Sequence, residues 1–250
     1  MLQTIYKASE VLSLFDHCHT EWGVREVATQ LQLAKSSTHD LLASLAQVGL
    51  LSKTEEGRYR LGWRLVAMSE TLLSTTELCL QAHPVMEDLV ARYRETVHLA
   101  VLDDAKVIYV DKLEGNQAVR VESTQLGSPL QPHCVAAGKV LLAYQPEGEV
   151  DHIIQNEDMQ CFTSNTITDR NEFSLALEKV RKQGYAYDLE ELLPDLCGVS
   201  APIFNHSGKV IAAIGMSIPV YRFLRYQADF RMATIEAAKI ISERLGFGRE

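Results

Sequence analysis

Apolar residues recur at intervals of three and four from Thr4 to Phe15, where Ile5, Ala8, Val11, Leu12 and Phe15 predict one face of a helix. A second, short helix is predicted from about Gly23, carrying Val24, Val27, Ala28 and Leu31. A third is predicted from about Ser36 to Val48, with Leu41, Leu42, Leu45 and Val48 facing inward. Only Gln32 to Lys35 separate the second helix from the third, so their connection is a turn. Past Gly49 the period shortens. Leu50–Lys53 and Arg58–Leu61 read as two short strands, joined by a Thr54–Gly57 turn. A helix then starts at Arg64, with Leu65, Met68, Leu72 and Cys79 spaced for a seam against another helix.

The rest of the chain alternates between the two periods. After His83–Pro84, a helix is predicted from about Val85 to Arg94, then strands at Val97–Leu102, Val107–Val110 and Ala118–Val121. Helices follow at about Ala136–Tyr144 and Asn171–Gln183, and a short strand at Tyr185–Asp188. A hairpin of Val199–Phe204 and Lys209–Ile218 and a helix from about Gln227 to Leu245 complete the pattern. Short turns imply antiparallel pairing, so the expected class is α+β. The expected divisions are residues 1–64, a linker helix over 65–82, and a second domain over 83–250.

Composition alters this picture in three places. The net charge of −9 is unevenly placed: residues 1–68 hold seven basic and seven acidic side chains, so all of the excess lies beyond them. An acidic second domain leaves phosphate binding by the first domain open. The five cysteines, 18, 79, 134, 161 and 197, are odd in number and lack a CxxC pair, which fits reduced thiols in a cytoplasmic protein. No run of eighteen apolar residues suggests a membrane span, and the first residues lack the pattern of a signal peptide.

Helix, four-residue turn, helix and hairpin in this order meet the mechanical needs of a winged helix-turn-helix, whose second helix enters the major groove. The outward face of that helix is Ser36, Ser37, His39, Asp40, Ala43 and Gln47. Hydroxyls at a helix start donate to phosphates, and the free N–H groups there favour an anion. The expected DNA-binding residues are Arg25, Lys35, Ser36, Ser37, Thr38, His39, Asp40, Arg58 and Arg60.

Glu26-Val27-Ala28, Leu33 to Leu42, and Gly57-Arg58-Tyr59-Arg60-Leu61-Gly62 resemble the DNA-binding domain of the IclR family of bacterial regulators. Pro132 to Lys139, Gly184 to Glu191 and Ala201 to Phe204 continue the resemblance in order and spacing. It implies a GAF-like second domain that binds a small, often carboxylate-bearing effector, dimers pairing into tetramers, and more often repression than activation. Asp40 departs from the family's common arginine, and Gly23 stands where a Ser or Thr cap is usual.

The positions matching the family's effector contacts are Ala136, Ala137, Asp188, Leu196, Gly198, Gly215 and Ser217. Independently, Ala136-Ala137-Gly138-Lys139 opens a helix with small residues, so its free N–H groups form an anion site. Gly198 stands where the family often has a cysteine, and Gly215 where a serine can donate. Both changes suggest a ligand bulkier or less polar than a two- or three-carbon keto acid. No cofactor and no catalytic residue are expected. Two rival readings use His133, Cys134, Asp188 and Cys197: as ligands of a metal sensor, or as a thiol–imidazole enzyme site.

Overall fold

The computed structural model describes residues 2–16, 18–117, 126–156 and 158–248. It divides into two compact units, Met1–Thr75 and Thr76–Glu250.

The first unit contains helices α1 (Gln3–Leu12), α2 (Val24–Gln30) and α3 (Lys35–Gln47), a hairpin of β1 (Leu51–Lys53) and β2 (Tyr59–Leu61), and α4 (Arg64–Thr75). Val11, Val27, Leu42, Leu45, Leu51 and Tyr59 form its core. The α2–α3 turn is tight: Gln32 takes a left-handed φ of 53°, and Leu33 N–H returns to Ala28 O at 2.9 Å. Helix α3 starts at Lys35, and its inward row is Thr38, Leu42 and Leu45, with Leu41 half-buried. The expected inward position of Val48 is therefore corrected. It follows the last helical residue and is 47% exposed. In the hairpin Ser52 faces Arg60, and Trp22 adds a one-residue bridge beside Tyr59. That bridge closes the base of the wing, with N–H···O distances of 2.9 and 2.8 Å.

The second unit begins with α5 (Glu77–Tyr93), followed by β3 (Thr96–Asp103), β4 (Lys106–Leu113) and β5 (Pro129–Leu130). A 3₁₀ turn (Pro132–Cys134) leads into α6 (Ala136–Ala143), then α7 (Glu147–Asn156) and α8 (Arg170–Gln183). Strands β6 (Ala186–Leu189), β7 (Leu196–Phe204) and β8 (Val210–Pro219) precede α9 (Val220–Arg244). The strands form one antiparallel sheet in the order β5-β4-β3-β8-β7-β6. Helix α6 packs over β3, β4, β6, β7 and β8, with α8 beside it, while α9 crosses β7 and β8 next to α5. Strands β7 and β8 are buried almost without interruption, as expected of strands covered on both faces.

This is the expected antiparallel sheet flanked by helices, with local differences. Pro84 was read as preceding a helix, yet it lies inside α5. Proline withholds one helical N–H, but burial of Leu78, Ala82, Val85, Met86 and Leu89 holds the helix on both sides of it. Helix α7 was not anticipated. Strand β7 starts three residues before Val199, which brings Leu196 and Gly198 into the sheet. Helix α9 starts at Val220 and breaks at Tyr226 (φ −127°, ψ 24°), just before the expected start at Gln227. The expected strand at 118–121 lies outside the described residues.

Candidate nucleic-acid interface and ligand cavity

Ala34 caps α3 in an extended conformation, and the helix leaves Lys35, Ser36, Ser37, His39 and Asp40 exposed over its first two turns. Asp40 is open to solvent, at 82% side-chain exposure, with His39 Nδ1 3.3 Å from its carboxylate. Arg25 is exposed on α2, and Arg60 is exposed on β2, where its Nε donates to Ser52 Oγ at 3.2 Å. Two expected contacts are corrected. Thr38 is fully buried and donates its hydroxyl to Ala34 O at 3.1 Å, so it faces the core of the unit. Arg58 is held by a bidentate pair with Glu26, at 3.0 and 2.8 Å, and by Glu21 O at 2.9 Å. It fastens the wing to the start of α2. Glu26 also accepts from Gly23 N–H at 2.8 Å, and Arg58 first, then this N–H, hold its carboxyl below the usual range. Gly23 lacks a capping side chain, but Glu26 supplies the reciprocal half of the box.

In the second unit a cavity of about 10 Å³ lies between the start of α6 and the sheet. Its walls include Ala136, Ala137, Asp188, Leu196, Gly198 and Ser217, six of the seven expected positions. The register explains why they meet. Asp188, Gly198 and Ser217 stand side by side across β6, β7 and β8, while Ser200, Gly215 and His98 form the neighbouring row across β7, β8 and β3. Gly198 leaves real room: an added Cβ would lie 3.4 Å from Asp188 Cβ and 3.6 Å from Ala136 Cβ. Gly215 is not part of the wall, and the expected gain of space there is corrected. A Cβ on it would come within 2.9 Å of Ser200 Oγ, so the serine fills that place and itself lines the cavity. Ser200 donates to Ile214 O at 2.7 Å.

Sequence reasoning missed His98, Tyr109 and Ser200. A histidine set within the apolar run Val97–Leu102 was the available signal. Burial holds His98 neutral, with its pKa lowered to about 3. Its Nε2 lies 3.2 Å from Ser217 Oγ, and its ring centroid lies 4.4 Å from that of Tyr109. Burial raises Asp188 to about 7, although Glu191 N–H donates to its carboxylate at 2.7 Å. Lys139 is buried one helical turn after Ala136, but it pairs with Glu191 and donates to Tyr187 O at 3.0 Å. None of the described residues lining the cavity is a lysine or arginine.

The rival constellation does not assemble. His133 Nε2 lies 2.9 Å from Gln160 O, and Cys134 Sγ donates to Gln131 O at 3.3 Å. Burial first, and Asp188 next, push both the Cys134 and the Cys197 thiols up to about 12. Neither is a ready thiolate for nucleophilic attack. Among the described residues no group of three or more His, Cys, Asp or Glu side chains is placed to hold a metal ion. No helix among them is long and apolar enough to cross a membrane.

A helix-turn-helix with a wing, in a chain whose second unit is a helix-flanked antiparallel sheet with a small internal cavity, is the architecture of a ligand-responsive DNA-binding regulator. Residues 4–55 match the model of the IclR helix-turn-helix domain, and residues 70–243 match that of the bacterial transcriptional regulator IclR C-terminal domain. The chain belongs to the IclR family of transcriptional regulators. It is 31% identical over 249 residues to the HTH-type transcriptional regulator XynR of Escherichia coli K12, covering 99% of this chain and 98% of that one. It is 28% identical over 248 residues to the transcriptional repressor IclR of the same organism, covering 98% and 90% respectively. A crystal structure of an IclR homologue from Microbacterium hydrocarbonoxydans, complexed with 4-hydroxybenzoate, superposes with a TM-score of 0.83 at 26% identity, covering 97% of this chain and 98% of that one.

Proposed function

We propose that the chain is a repressor that binds its operator through α3 and the wing, and that a small organic acid in the second unit's cavity alters that binding. The DNA-contacting set is Lys35, Ser36, Ser37, His39 and Asp40 at the start of α3, Arg25 on α2 and Arg60 on the wing, with Arg58 bracing the wing. One such module makes too few contacts for specific affinity, so the operator-bound form is a dimer or a pair of dimers on matched half-sites. Its place of action is the cytoplasm, where the DNA is.

The observation that carries the effector half is the meeting of Ala136, Ala137, Asp188, Leu196, Gly198 and Ser217 around one cavity, although they come from α6, β6, β7 and β8. At α6 the first backbone N–H groups lack intrahelical partners and attract a carboxylate. Repression is supported by the likeness to the E. coli repressor. An effector acts by binding the two DNA-affinity states unequally, which changes operator affinity by its differential binding energy.

The test begins with selection of genomic duplexes on the purified full-length protein at physiological salt. Selected duplexes are then titrated by fluorescence anisotropy with and without millimolar organic acids. The reading expects a duplex bound at least a thousandfold more tightly than random DNA, and an acid that changes that affinity. No preference for any duplex would overturn the operator half. A specific duplex insensitive to every acid would overturn the effector half.

A further inference from the structure

His98 is 4% exposed, and its Nδ1 is a fully buried side-chain nitrogen with no hydrogen-bond partner among the described residues. Buried polar atoms are nearly always paired, so an orphan requires a reason. His98 lines the cavity, which makes a group lodged there the available partner. The ring is neutral, so Nδ1 either donates or accepts, depending on which nitrogen bears the proton. A hydroxyl satisfies both cases, because it is a donor and an acceptor. A second carboxylate would satisfy only the donor, and no lysine or arginine among the described residues of the wall would neutralise it.

Position along the sheet sets the second requirement. Ala136 of α6 stands over Gly198 of β7, and His98 belongs to β3, two strands away across β8. At about 4.8 Å per strand, these backbones are about 10 Å apart. The same cavity is also lined by Tyr109, Leu192, Leu196 and Met216, which are apolar or aromatic.

We propose that the effector is a monocarboxylate bearing a hydroxyl at its far end, with the carboxylate on the N-terminus of α6, an apolar or aromatic body between, and the hydroxyl on His98 Nδ1. This rests on the reading of the cavity as the effector site and narrows it to one ligand class. His98 is the residue that selects for the hydroxyl. The cavity of about 10 Å³ admits one water-sized group, so such a ligand displaces part of the wall on entry.

Calorimetry on the full-length protein with matched acids tests the proposal. 4-Hydroxybenzoate is expected to bind about tenfold more tightly than benzoate, the worth of one hydrogen bond made in place of an unpaired group. Lactate is expected to gain nothing over propionate, because its hydroxyl sits beside the carboxylate. His98→Phe should remove the preference for 4-hydroxybenzoate while benzoate still binds. His98→Asn, whose amide occupies the place of Nδ1, should retain it. Equal binding of benzoate and 4-hydroxybenzoate, or a preference that survives in His98→Phe, would overturn the role of His98 while leaving the effector site in place. Failure of all four acids to bind would overturn the ligand class. Release of the selected duplex by a different acid would then show that the regulator reading stands without it.

Discussion

Replacing Asp188 with Asn should flatten the pH dependence of the second unit's stability. The carboxyl is 4% exposed and titrates at about 7 instead of 3.8, mainly because burial disfavours its charge. The folded form therefore holds the proton more tightly than the unfolded chain does. The sign follows: this group costs stability as pH rises from about 4 through about 7, and the cost is complete above that range. At about 1.4 kcal/mol per tenfold change, the interval amounts to about 4 kcal/mol, of which about 3 kcal/mol falls between pH 5 and pH 8. Asparagine keeps an oxygen that accepts the Glu191 N–H, now at 2.7 Å, but it carries no titrating proton. Any cost of its extra amide group does not depend on pH. The quantity to measure is thus the stability difference between variant and parent at the two pH values. Urea unfolding followed by far-UV circular dichroism reports it, whereas fluorescence does not, because both tryptophans, Trp22 and Trp63, lie in the first unit. The difference should shift in favour of the variant by about 3 kcal/mol between pH 5 and pH 8. An unchanged difference would refute the placement of Asp188 as a desolvated carboxyl.

Three further outcomes are expected. Asp40→Arg replaces an exposed carboxylate on α3, so affinity for random duplex should rise, and the slope of log affinity against log salt should steepen by about 0.9 per subunit; unchanged salt dependence would mean that position 40 does not face DNA. Ser37→Ala should weaken binding to a selected duplex while Thr38→Val leaves it unaltered, since the Thr38 hydroxyl is bound to Ala34 O inside the unit; anisotropy titration separates them, and equal losses would place Thr38 at the DNA. Gly138→Ala should destabilise the second unit by about 1–3 kcal/mol in urea, because its Cβ would fall 2.2 Å from Pro132 O and push the 3₁₀ turn off α6; full stability would show that the turn yields freely.

The helices of the first unit and their order were legible along the chain because they depend on local periodicity and turn residues. The four-residue connection before Lys35 and the Gly57 hairpin are likewise local. What the periodicity left undecided was rotation about the helix axis. Val48 and Thr38 exchange the expected inside and outside places in α3, because the helix stops at Gln47 and the 38-42-45 row meets the core. The role of Arg58 was also hidden, since its partner Glu26 lies thirty-two residues away.

The cavity shows the same division more sharply. The small residues opening α6 and the acidic end of β6 could be marked from the sequence and from resemblance. Their meeting depended on strand register, which brings Asp188, Gly198 and Ser217 into one row and Ser200, Gly215 and His98 into the next. Sequence alone thus determined the class of elements and the charge balance of each part of the chain, because these follow from neighbours a few residues apart. Tertiary structure alone decided that Ser200 occupies the space beside Gly215, that Lys139 is spent on Glu191, and that His98, in the cavity lining, holds a buried nitrogen with no partner among the described residues. Each of these depends on burial and on contacts between distant segments, and the free energy of a polar group is set by what surrounds it after folding.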